Sequence, residues 1–174
     1  MIVQAIKLIY PEIQGGYVYW ETKKDGAPLD NPIDGLVWEN TEFTKPTWAQ
    51  IKAKLLIVNL QKEQDLKIVQ LKKNRAEKAE FSTVEYNSKT YSNSQNARNV
   101  ITGRIAITTN ASPARFYQTY PVVEIVHLSR PDFVAIANLI DENESSLRAA
   151  EIGLINEIKA CTAISEIDLI KIEF

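Results

Sequence analysis

Apolar positions change their spacing twice along this chain of 174 residues, and the changes divide it into three stretches. In residues 1–43 the apolar runs are short and separated by turn formers: Gly15-Gly16, Asp25-Gly26, Pro28, Asn31-Pro32 and Asp34-Gly35. Ile2, Ile6 and Ile9 share one helical face, which predicts a short helix over residues 2–10. Pro11 ends it, lacking the N–H that the next turn would need. Tyr17-Val18-Tyr19-Trp20 and Leu36-Val37-Trp38 carry the aromatic and β-branched bias of strands. Such a unit has a modest core and is expected to lean on a neighbour.

Residues 44–80 have a different grammar. Thr44 is the predicted N-cap, Pro46 falls in the first turn, and Phe43 and Trp48 stand at the positions of a hydrophobic staple. From there to about Glu80 no Gly or Pro interrupts the chain, and Glu63/Lys67 and Lys73/Glu77 offer opposite charges one turn apart. Trp48, Ile51, Leu55 and Val58 form one stripe on the first half, whereas the second half is mostly Lys, Glu, Gln and Arg. The expectation is a long helix whose apolar half packs on the first unit or on other chains, and whose polar half is a solvated connector.

The third stretch, residues 81–174, opens with a hairpin. Val84 and Tyr86 alternate with Thr83 and Glu85, and a two-residue Asn87-Ser88 turn places Tyr91 opposite Val84. Ser92 and Gln95 match a capping box, predicting a helix over residues 93–107 with Val100, Arg104 and Ile107 on one side and Ala97 and Ile101 adjoining. A loop over residues 108–113 and a strand at Val122-Val123-Glu124-Ile125-Val126 come next. Ser129 and Asp132 then form a second capping box, with Pro131 in the first turn and Leu128 and Phe133 as the staple. The helix they open carries Phe133, Ile140, Leu147, Leu154 and Cys161 at intervals of seven, flanked by Ile136, Ala150 and Ile158 and interrupted by Asn143 and Glu157. The fold class read from this order is α+β: a small β-rich unit, a long connecting helix, and a module of hairpin plus helices.

Composition narrows the function classes. Apolar residues make up 45% and charged residues 24%, which suits a soluble globular protein. A net charge of −2 gives no field that gathers nucleic acid or an anionic membrane, and no run reaches the length of a membrane span. The first residues lack a basic leader and an unbroken apolar run, so no export is expected. One cysteine, Cys161, and one histidine, His127, cannot build a Cys/His metal cluster. His127 reads as a strand-edge residue, Cys161 as a small hydrophobe, Asp141-Glu142-Asn143-Glu144 as a solvated helix face, and Lys72-Lys73-Asn74-Arg75 as a basic cluster balanced by Glu77 and Glu80. Phosphate-loop, dinucleotide, zinc-protease and nucleophile-elbow motifs are missing. No catalytic, cofactor-binding or metal-binding residue is expected.

KKNRAEKAEF ahead of the hairpin VEYNSKTYSNSQNA, then HLSRPDFVAIANLI and LRAAEIGLINEIKACTAISEIDLI, form an ordered set. In that order, residues 73 to about 170 resemble a domain of unknown function found at the C-termini of bacteriophage tail-fibre and tail-assembly proteins. Its hairpin turn is commonly Asp-Gly or Asn-Gly and a Trp often follows its middle helix, where this chain has Asn87-Ser88 and Arg115-Phe116-Tyr117. GGYVYWET and DGLVWENTEFTKPTWAQIKA resemble the leader of small phage tail proteins, in which a strand pair precedes a Lys-Pro-Thr helix start.

The resemblance implies a non-enzymatic tail structural protein, fibre-associated or at the baseplate periphery, located in the virion tail and in the host cytoplasm during assembly. Residues 1–43 would dock, residues 44–80 would space, and residues 81–174 would form the distal module. The implied partners are other tail proteins and further copies of this chain, a trimer being one form; neither nucleic acid nor membrane is expected. The interaction candidates are Tyr17, Tyr19, Trp20, Trp38, Trp48, Ile51, Leu55 and Val58. A tail-fibre assembly chaperone that leaves the mature particle is the alternative, and an enzyme acting on polysaccharide a more distant one.

Overall fold

The computed structural model describes every residue except 24–26, 28, 30–31, 110–114 and 122–123; for Pro32 and residues 115–118 it describes the backbone alone. The predicted turns at Asp25-Gly26, Pro28 and Asn31, most of the predicted loop over 108–113, and the first two residues of the predicted Val122 strand lie outside the described residues. The chain is α+β, with short antiparallel strand pairs and long helices. It forms two compact units, Met1–Asp65 with Thr162–Ile164, and Leu66–Cys161 with Ser165–Phe174. The division falls inside the long helix, so each unit takes one part of it.

In the first unit, helix α1 (Ile2–Ile9) buries Ile2, Ala5 and Ile6, and it stops one residue short of the Pro11 boundary, with the Tyr10 N–H bonded to the Ile6 carbonyl. Strands β1 (Tyr17–Tyr19) and β2 (Leu36–Trp38) pair antiparallel in the register Tyr17↔Trp38, Val18↔Val37 and Tyr19↔Leu36, with a short 3-10 helix (Pro32–Gly35) leading into β2. Helix α2 (Trp48–Phe81) completes the core, in which Ile51 and Val58 join Ile2, Ala5, Ile6, Ile13 and Leu36. Three-residue strands and a two-turn helix cannot close a core alone, and the apolar stripe of α2 supplies what they lack.

The start of α2 differs from its prediction. Thr47, not Thr44, caps it: Gln50 N–H donates to Thr47 Oγ1 at 3.3 Å and Thr47 N–H donates to Gln50 Oε1 at 2.8 Å, a reciprocal box three residues later in the chain. Residues 44–47 are held outside the helix instead, where the Thr44 carbonyl accepts from Tyr10 Oη at 2.8 Å and Lys45 Nζ reaches the Leu36 carbonyl at 2.9 Å.

Gly35 is required by close approach. A Cβ built there would lie 2.1 Å from the Trp20 carbonyl oxygen and 2.6 Å from Leu29 Cδ1. Gly35→Ala should therefore lower the stability of the first unit by about 1–3 kcal/mol, the range for overpacking. Urea denaturation followed by tryptophan fluorescence measures this, and an unchanged midpoint would contradict so tight a crossing.

The second unit is built around the hairpin of β3 (Thr83–Tyr86) and β4 (Lys89–Ser92), with Val84 opposite Tyr91 as expected. Asn87 and Ser88 both have positive φ, 49° and 59°, the pairing a two-residue primed turn demands. Serine adopts that conformation at a cost, so Ser88→Gly should stabilise the unit by about 0.5–1 kcal/mol, with the greater chain entropy of glycine offsetting part of the gain. Thermal unfolding checks it; a lower midpoint for the glycine variant would refute the turn assignment.

Helix α3 (Gln95–Ile107) begins two residues later than its predicted start. Its N-cap is Ser94, whose hydroxyl accepts from Ala97 N–H at 3.2 Å. Asn93 is held back because its backbone N–H bonds the Ser82 carbonyl at 2.9 Å and its side chain is fully buried. The covering face also differs. Ala97 and Ile101 are buried, whereas Val100 and Ile107 are exposed, because Ile101 shares one core with Val84 and Tyr91 of the hairpin and with Phe133, Ile136 and Ile140 of helix α4 (Arg130–Ala160), and Val100 and Ile107 lie off that face.

Strands β5 (Arg115–Gln118) and β6 (Ile125–Leu128) pair antiparallel, and β5 had no counterpart in the sequence reading. Helix α4 follows with its predicted box, Ser129 N–H donating to Asp132 Oδ2 at 2.7 Å. The staple residues Leu128 and Phe133 are buried with Val84, Tyr91, Ile101, Ile136 and Ile140 in one core. Along the seven-residue line Phe133, Ile140 and Leu147 are buried and Leu154 and Cys161 are half-buried; of the flanking residues Ile136 and Ile158 are buried and Ala150 is exposed. Helix α5 (Ile164–Leu169) then buries Ile167. The second half of α2 is not a bare solvated rod, since Leu71 is 0% exposed and Ala79 is buried.

Candidate functional site

Two places gather side chains that could carry a function, one in each unit. In the first, strand alternation sorts the ribbon into two faces. Tyr17, Tyr19, Leu36 and Trp38 point inward, where Tyr17 and Trp38 stack at 5.7 Å and Tyr10 packs on Phe43 at 5.0 Å. Trp38 is further fixed by its indole N–H, which donates to the Phe43 carbonyl at 2.9 Å. Val18 and Val37 oppose each other on the outer face and both are exposed, and Trp20, just past β1, is 62% exposed. Trp20 borders a groove of about 780 Å³ lined also by Thr22, Leu29, Asp34, Gly35 and Val37.

The turn beside this ribbon is clamped by Asn40. Its Oδ1 accepts from the backbone N–H groups of Glu42 at 2.9 Å and Phe43 at 2.8 Å, while its amide donates to the Gly15 carbonyl at 3.1 Å. Gly16, with φ of 76°, lies so near Asn40 that a Cβ would stand 2.9 Å from the Asn40 Cα.

The eight interaction candidates separate accordingly. Ile51 and Val58 are buried in the unit's own core, and Tyr17, Tyr19, Trp38, Trp48 and Leu55 are half-buried against it. Only Trp20 of the eight is exposed. Val18 and Val37 were missed although their alternation with Tyr17, Tyr19 and Trp38 was the available signal, since valine between aromatics reads equally as core.

The second place is a charge cluster. Glu144 on α4 accepts from Arg75 Nη1 of α2 at 2.7 Å, from Arg98 Nη2 of α3 at 2.8 Å and from Arg148 Nε one turn along α4 at 3.1 Å. Arg75 Nε also lies 2.8 Å from Glu151 Oε2, close enough to pair though outside hydrogen-bond alignment. The Arg98 Nε donates to the Asn93 carbonyl at 2.9 Å. Beside it, Ser82 Oγ accepts from Asn93 and Asn143 amides at 2.8 and 3.0 Å and donates to the Ala79 carbonyl at 3.1 Å, saturating the hydroxyl.

Both halves of this cluster correct the sequence reading: Glu144 is buried, not part of a solvated face, and Arg75 turns inward from the basic run. The signal was present, since Glu144 stands four residues after Ile140 and three before Leu147, on the buried stripe.

Burial pushes the Glu144 carboxyl up, but the hydrogen bond and charge of Arg98, the charge of Arg75 and the bond from Arg148 outweigh it, leaving the carboxyl below its ordinary value. A carboxylate held ionised by three guanidinium groups is a poor proton carrier at neutral pH and a good structural clasp. Asp132 is likewise held low, chiefly by the Ser129 hydroxyl and, against some burial, by Tyr86, whose Oη donates to Asp132 Oδ1 at 2.8 Å. His127 is exposed on β6, and Cys161 follows the end of α4. Among the described residues no group of three or more His, Cys, Asp or Glu could hold a metal ion, and no helix is long and apolar enough to cross a membrane. No protein family, curated protein or solved structure matches this chain.

Proposed function

We propose that this protein is a non-enzymatic structural component of a bacteriophage or prophage tail, fibre-associated or at the baseplate periphery, and that its first unit attaches it to another tail protein. The order of motifs in residues 73 to about 170 and the strand pair before a Lys-Pro-Thr helix start support the tail assignment. The observation that carries the attachment role is the outer face of the β1–β2 ribbon, where Val18, Trp20 and Val37 are exposed while the inner face is consumed by the unit's own core. A large exposed aromatic beside a pair of exposed branched residues is the composition of an interface anchor.

Mass spectrometry of purified virions tests the reading: a tail component is present at fixed copy number. Absence from virions together with co-purification with an unassembled fibre protein would replace this reading with that of an assembly chaperone. Trp20→Ala should abolish incorporation into particles while changing the unfolding midpoint little, within about 0.5 kcal/mol in stability for an exposed side chain. Normal incorporation of a folded Trp20→Ala variant would remove the ribbon from the attachment role.

A further inference from the structure

We draw no further inference here: the strongest candidate, the exposed stripe of α3 formed by Val100, Gly103 and Ile107, where a Cβ on Gly103 would meet open space, is an unpartnered apolar helix face and nothing in the structure shows what covers it.

Discussion

Replacing Phe133 with alanine is expected to lower the stability of the second unit by about 3–5 kcal/mol, the loss typical of a buried aromatic truncated in a closed core. Phe133 is 0% exposed and shares its core with residues from both hairpin strands, α3, β6 and α4, so several elements lose contacts at once. Its surroundings cannot easily collapse into the space, because the Ser129–Asp132 box and the Phe133 N–H bond to the Ser129 carbonyl at 3.1 Å fix the first turn of α4. Phe133→Leu, which keeps most of the volume, should lose roughly 1 kcal/mol. Urea denaturation followed by far-ultraviolet circular dichroism gives both values. All three tryptophans, Trp20, Trp38 and Trp48, lie in the first unit, so their emission reports separately whether that unit stays folded. A loss below 1 kcal/mol for the alanine variant would sink the claim that this residue anchors the core.

Glu144→Ala should be nearly as damaging, at about 3 kcal/mol, because it leaves the guanidinium groups of Arg75 and Arg98 partly buried without their carboxylate. Arg148 is different. Its side chain is 64% exposed, so Arg148→Ala is expected to change stability by no more than about 0.5 kcal/mol, as for other exposed ion pairs. The cluster joins α4 to α3 and to the second half of α2.

The pH dependence follows from the direction of the Glu144 shift. The folded-state carboxyl lies below the ordinary glutamate value of 4.5, so the unfolded chain binds this proton more readily. The stabilisation is therefore fully present above that ordinary value and is lost as pH falls through the folded-state value. Glu144→Gln should be less stable than the native protein at neutral pH, and the difference should shrink progressively below pH 4.5 as the native carboxyl becomes neutral. A difference that stayed constant from neutral to strongly acid pH would show that the charge of Glu144 contributes nothing.

These two residues also mark how far local pattern reaches. Phe133 was legible because a capping box, a first-turn proline and a staple coincide within six residues, and each acts over one helical turn. The Val84–Tyr91 register was legible for the same reason, since a two-residue turn leaves one way to pair the strands. Glu144 was legible only as a position on the buried stripe; which arginines meet its carboxylate was not, because they lie 46 and 69 positions away. The caps of α2 and α3 fall between these cases. Two overlapping Ser or Thr positions were available at each, and the deciding bonds came from Tyr10 to the Thr44 carbonyl and from the Asn93 N–H to the Ser82 carbonyl.

The ribbon in the first unit shows the same division in one element. Alternation in Tyr17-Val18-Tyr19-Trp20 and Leu36-Val37-Trp38 determined two strands with opposite faces, since successive side chains must point to opposite sides. It could not determine which face was the core, because both are apolar. Only the tertiary structure decided that, by seating Tyr17, Tyr19, Leu36 and Trp38 against α1 and the first half of α2 and leaving Val18, Trp20 and Val37 outside. The physical reason is that a period is a property of one segment, whereas burial is a property of what another segment brings to it. By itself the sequence determined the α+β class, the order of the long helices around the β3–β4 hairpin and its Asn87-Ser88 turn; the tertiary structure decided the β5–β6 pair, the inward face and the arginine clasp on Glu144.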